Sequence, residues 1–135
     1  MKRLLSIGYS DTAFNIALFL LRVTLSCLIC LDHGIPKIIN FSAWRSQFYN
    51  LFHIGSSTTL VLSIFAEVFA AMFLVLGLFS RLAALLLVIN MLFAAFIYHQ
   101  GQPIKDYEDA IIFFFGFLTI LLVGPGKISV DGVVG

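Results

Sequence analysis

Two apolar stretches of about twenty residues each carry one charge near their centre. Thr12 to Leu31 reads TAFNIALFLLRVTLSCLICL with Arg22 inside it, and Thr58 to Phe79 reads TTLVLSIFAEVFAAMFLVLGLF with Glu67 inside it. Either stretch is long enough to cross a hydrocarbon core of about 30 Å. A lone charge at that depth costs about 2.5–3.5 kcal/mol on insertion scales. One charge of each sign at matching depth predicts an Arg22–Glu67 pair inside a helical bundle. Composition agrees with a membrane protein: 61% of residues are hydrophobic and 11% charged, against about 25% charged in soluble domains. The net charge of +1 offers no basic field for nucleic acid.

The first stretch does not read as a cleaved leader. Ser10, Asp11 and Thr12 separate it from the basic start, Arg22 interrupts it, and no small-residue cleavage site follows. Two further apolar runs, Leu82 to Tyr98 and Ala110 to Val123, complete a set of four. The predicted fold is an all-α membrane protein, a single domain over residues 1–135, with helices at about 12–32, 58–79, 81–99 and 107–123. Open sheet edges do not survive in lipid, so a four-helix bundle is the expected architecture. In the one long loop, Phe41, Trp44, Phe48, Leu51 and Phe52 fall at helical spacing, which predicts a short interfacial helix. Lys2, Arg3, Arg81 and Lys127 on one side against Lys37, Arg45 and Lys105 on the other favour cytoplasmic termini.

Each predicted helix carries a polar stripe. Asn15, Arg22, Ser26 and His33 share a face of the first. Thr59, Ser63, Glu67, Ala70, Ala71 and Leu74 share a face of the second; Ala83, Asn90, Ala94 and Tyr98 of the third; Glu108, Ile112, Phe115 and Thr119 of the fourth. Turned inward, the stripes form a polar core, read either as packing glue or as a site for a polar head group, a quinone or a proton. Gly34 and Pro36 are expected to break the first helix. His33, Lys37, His99 and Glu108 should then gather at one mouth of the bundle, under the Phe41–Phe52 segment as a lid. The candidate binding residues are therefore Arg22, Glu67, His33, Lys37, Asn90, His99 and Glu108. Cys27 and Cys30 form a C-x-x-C pair, a redox candidate with no thioredoxin-like partner nearby. His33, His53 and His99 share no metal-ligand spacing, so no metal site is expected.

Leu21-Arg22, His33-Gly34-Ile35-Pro36-Lys37, Glu67, Gly77-Leu78-Phe79-Ser80-Arg81-Leu82-Ala83-Ala84, Asn90-Met91, Glu108 and Gly124-Pro125-Gly126-Lys127-Ile128-Ser129-Val130-Asp131 form an ordered series. The series resembles the DoxX family of small bacterial four-helix membrane proteins over nearly the whole chain. That resemblance implies an integral inner-membrane protein whose motif residues are Arg22, His33, Lys37, Glu67, Arg81, Asn90, Glu108 and Asp131. Cys27 and Cys30 stand outside the pattern. One relative is a membrane subunit of a thiosulfate:quinone oxidoreductase, and others are linked to oxidative-stress complexes. Two functions follow as expectations: an accessory subunit that anchors or stabilises a membrane or periplasmic partner, or a redox subunit that binds a quinone at the polar core. Self-association into a homo-oligomer is compatible with either.

Overall fold

Ser10 starts the first helix by accepting a hydrogen bond from the Ala13 backbone N–H at 3.1 Å, an N-cap that satisfies one orphan donor. The computed structural model describes residues 3–98 and 101–135. Helix α1 runs Asp11–Ile39, 29 residues in one piece. The expected break near residue 32 is absent. Between Cys30 and Gly34 the helix widens into a π turn, with the Ile35 N–H bonded to the Cys30 carbonyl five residues back. Pro36 falls in the first turn of the resumed helix, where its missing N–H costs no ladder bond. A short α2, Phe41–Trp44, follows.

Helix α3 (Ser56–Leu76) and helix α4 (Ser80–Tyr98) form an antiparallel hairpin across Gly77. Helix α5, Glu108–Val123, lies along α4 and against α1. A last turn, α6, covers Val130–Val134. Helices α1, α3 and α4 are long and apolar enough to cross a membrane. At 16 residues α5 is shorter, about 24 Å of helix. The described residues contain no strand.

Small residues let the helices approach. Ala70 and Ala71 of α3 and Ala83, Ala84 and Ala95 of α4 are buried, as expected where close packing drives association. A Cβ on Gly34 would meet Glu67 O at 3.1 Å and Val68 Cγ2 at 2.7 Å, so α1 touches α3 there backbone to backbone. The predicted inward face of α3 is correct: Thr59, Ser63, Glu67, Ala70, Ala71 and Leu74 are all buried.

The face expected of α5 is not the inward one. Glu108, Ile112, Phe115 and Thr119 are exposed, and Ala110, Phe113, Phe117 and Ile120 are buried instead. Thr119 satisfies its hydroxyl within the helix by donating to Phe115 O at 2.8 Å, so it needs no polar interior. The expected interfacial helix over Phe41–Phe52 also gives way. One helical turn at α2 is followed by irregular chain and a 3₁₀ turn, Leu51–His53. Asn50 accepts from the Gly55 N–H at 2.7 Å, a local bond that competes with helix.

The end of the bundle opposite this loop is closed by a clamp. Arg22 Nη1 donates to Pro125 O at 3.1 Å and Nη2 to Ile128 O at 2.8 Å. The Lys127 N–H reaches Asn15 Oδ1 at 2.6 Å. The Asp131 carboxylate accepts from the Phe79 and Ser80 N–H groups at 2.9 and 2.7 Å, capping the start of α4. The Asp131 N–H in turn bonds Gly77 O at 2.9 Å. The chain segment after α5 is thereby tied to α1 and to the α3–α4 hairpin at once.

Gly77 has φ 73°, and a Cβ there would lie 2.6 Å from Arg22 Nη1 and 2.3 Å from Ser129 Cβ. Gly77→Ala should destabilise the protein by about 1–3 kcal/mol through left-handed strain and overlap, read as a lowered melting temperature in detergent. Partial burial pushes the Asp131 carboxyl upward, but hydrogen bonds from Ser80 and Phe79 and the charge of Arg22 outweigh it and hold it below its usual range. A group depressed in the folded state contributes stability above its unfolded value, about pH 4, and loses it as pH falls through the folded value. Acid melting below about pH 4 should therefore be steeper for the wild type than for Asp131→Asn.

Candidate functional site

Glu67 sits in a second π turn, Phe65–Ala70, midway along α3. Its partner is not Arg22. Lys37 Nζ lies 2.5 Å from Glu67 Oε2, and Asn90 Nδ2 donates to Glu67 Oε1 at 2.9 Å. Ser63 Oγ donates to the same Oε1 at 3.3 Å and accepts from Lys37 Nζ at 3.2 Å. Four side chains from three helices make one network, in which both carboxylate oxygens are bonded. Glu67 keeps 2% of its side-chain surface and Lys37 14%, so the pair is largely desolvated.

The expected Arg22–Glu67 pair fails because α1 is longer than predicted. The residue of α1 that packs on Glu67 is Gly34, about 18 Å along the helix from Arg22. Arg22 lies near the clamp, and Lys37 reaches Glu67 because the π turn carries the helix through Pro36. Lys37 is thus part of the core rather than of an irregular rim.

Beside the network lies a cavity of about 570 Å³, within the range of small-molecule sites. Its polar wall is Lys37, Glu67, Ser63 and Asn90, with His33 adjoining. His33 packs edge-on against Phe113 at 5.6 Å between centroids. The rest is largely apolar and aromatic. Phe48 and Tyr49 of the first loop cover one end, 6.4 and 5.7 Å from the Tyr98 ring. Phe48 also lies 5.9 Å from Lys37 Nζ, a cation–π distance. Three π turns meet this cavity: His33 comes from the first, Glu67 from the second, and Phe93, Ala94 and Tyr98 from a third, Phe93–Tyr98. π turns are rare and concentrate at functional sites, because they re-aim side chains out of the regular register.

The structure therefore brings together Glu67, Lys37, His33 and Asn90. Glu108 is exposed and does not line the cavity; Asp106, Tyr107 and Asp109 do so at the outer end. His99 lies outside the described residues. Cys27 and Cys30 are free thiols, half-buried, and neither lines the cavity. No metal-ligating cluster occurs among the described residues. Ser63, Phe48, Tyr49 and Phe113 were not among the candidates. Ser63 stands one helical turn before Glu67, and that spacing was the available signal.

The family model of DoxX matches residues 17–100, more than half of the chain. The chain belongs to the DoxX family. Within the matched stretch lie Arg22, His33, Lys37, Glu67 and Asn90; α5 and the Pro125–Asp131 clamp of this DoxX protein lie beyond it. Searches of curated proteins and of solved structures return no match.

Removing one member of a desolvated pair leaves an orphaned charge, whereas replacing both is far less costly. Lys37→Met alone should destabilise by about 3–5 kcal/mol, while Lys37→Met with Glu67→Leu should recover most of that loss. Thermal melting of the three proteins in the same detergent measures the difference.

Proposed function

We propose that this DoxX protein is an accessory membrane subunit whose working part is the Lys37–Glu67–Asn90 cavity. Four helices cross the inner membrane, with both termini cytoplasmic. The cavity holds a lipophilic molecule with a polar head, a quinone-type carrier being the class the family resemblance suggests. The chemistry belongs to a partner protein, which the bundle anchors and supplies.

The observation that carries this reading is the 570 Å³ cavity with a largely desolvated, hydrogen-bonded ion pair in its wall. Helices in a membrane gain stability from close packing. A bundle that served only as an anchor would have no use for a void of that size. The polar groups also converge on one wall while the remainder is apolar, the arrangement of a site that orients a ligand by its head. Cys27 and Cys30 lie off the cavity, so a redox step by this chain's own thiols is not part of the proposal.

Lipid extracts of the protein purified from native membranes, and titration with decylubiquinone, test the reading. The wild type should retain a lipophilic, polar-headed molecule and bind the quinone. The Lys37→Met, Glu67→Leu double variant should bind it at least tenfold more weakly while remaining folded. Equal affinity in the two proteins would overturn the proposal and leave the network as packing alone.

A further inference from the structure

Helices α3 and α4 are zipped along only part of their length. From the Gly77 turn up to the level of Phe65, α3 packs closely on α4. Beyond it the Ser56–Ile64 stretch turns to other neighbours, the Ile35–Ile39 end of α1 and the Leu51–His53 turn. The hairpin is a fork, and the cavity lies in the fork. Its prongs are Leu62 and Phe65 of α3 and Ile89 and Phe93 of α4, all of which line the cavity. Leu62, Phe65 and Ile89 are at the same time 53%, 50% and 41% exposed on the outside of the bundle. A side chain that both lines a cavity and faces outward stands at its rim. These three lie within membrane-length apolar helices, so the outside they face is lipid.

The loop end has exposed lining residues too, Asp106 and Asp109, together with a set of aromatic contacts. At the loop end, Phe48 and Tyr49 pack on Tyr98, and Phe52 packs on Phe93 at 5.6 Å. At the opposite end stand the Arg22 clamp and the close packing of the hairpin.

The wall also selects by charge. Lys37 and Glu67 cancel, so an ionised head seated against them would lie in a low-dielectric site without a counter-charge. Asp106 and Asp109 at the outer end of the cavity oppose an anion further. Of the three N–H bonds of Lys37, Ser63 and Glu67 take two. The third is left for an acceptor oxygen.

We infer that the cavity loads sideways from the bilayer through the α3–α4 fork, and that it takes a molecule with an apolar tail and an uncharged, oxygen-bearing head. This rests on the reading of the cavity as a ligand site. Fatty alcohols, monoacylglycerols and isoprenoid carbonyl compounds share this chemistry.

The test uses the full chain in phosphatidylcholine nanodiscs with a monoacylglycerol that carries a photoreactive diazirine in its tail. Labelled peptides should map to Leu62, Phe65, Ile89 or Phe93. Unlabelled monooleoylglycerol should compete at concentrations at least tenfold below those of oleyl sulfate or oleyltrimethylammonium. Leu62→Trp with Ile89→Trp should slow labelling at least tenfold at an unchanged melting temperature. Labelling confined to Phe48–Phe52 or Asp106–Asp109, at an unchanged rate in the tryptophan variant, would overturn lateral entry and leave the ligand site standing. Stronger competition by either charged amphiphile would overturn the neutral head. Labels wholly outside the cavity would sink both this inference and the proposed function beneath it.

Discussion

The desolvated Lys37–Glu67 pair is the interaction on which the rest of the structure depends. Two opposite charges are tolerable in hydrocarbon surroundings only when they are paired and hydrogen-bonded. Glu67 meets that condition with Lys37, Asn90 and Ser63. Lys37 reaches it only if α1 remains helical past Gly34 and Pro36. That continuation requires a π turn, and the bare backbone of Gly34 against Glu67 is what brings the two helices close enough. A proline that would ordinarily end a helix is thus absorbed where the ladder is already irregular, and the cavity opens beside the same irregularity.

The two ends of the bundle solve the polar-group problem differently. At the clamp, a buried guanidinium is met by backbone carbonyls, and a carboxylate is met by the N–H groups that start α4. Apart from the Asn15 side chain, the partners there are backbone groups at helix ends and turns, so the bonds fix how the helices end. Around the cavity the partners are side chains on helix faces, so the bonds fix how the helices stand beside one another. The first arrangement ties the base of the bundle together. The second leaves space, because only one wall of the cavity is drawn together.

Much of this was legible in the residues. The buried face of α3 follows from its spacing, since polar and small residues recur at helical intervals from Thr59 to Leu74. Glu67, Lys37, His33 and Asn90 all stood among the candidate residues, with Lys37 and His33 placed at the rim and Arg22 in the core. Their pairing was not legible, because depth was judged from where apolar runs end, and a π turn extends α1 beyond that point. The outward face of α5 was missed because a threonine hydroxyl that bonds its own helix leaves no trace in periodicity. The partners of Arg22 were hidden for a further reason: Pro125 and Ile128 act through backbone carbonyls, which carry no side-chain signature.

The clamp also imposes an order in time. Arg22 lies in α1, and its two acceptors follow 103 and 106 residues later. While α1, α3 and α4 enter the bilayer, the guanidinium lacks both of these partners. Only when the segment after α5 emerges does the base of the bundle close. The segment after α5 therefore completes a helix made long before it, and a chain interrupted before Pro125 would hold α1, α3 and α4 yet leave the Arg22 guanidinium without its two carbonyl partners.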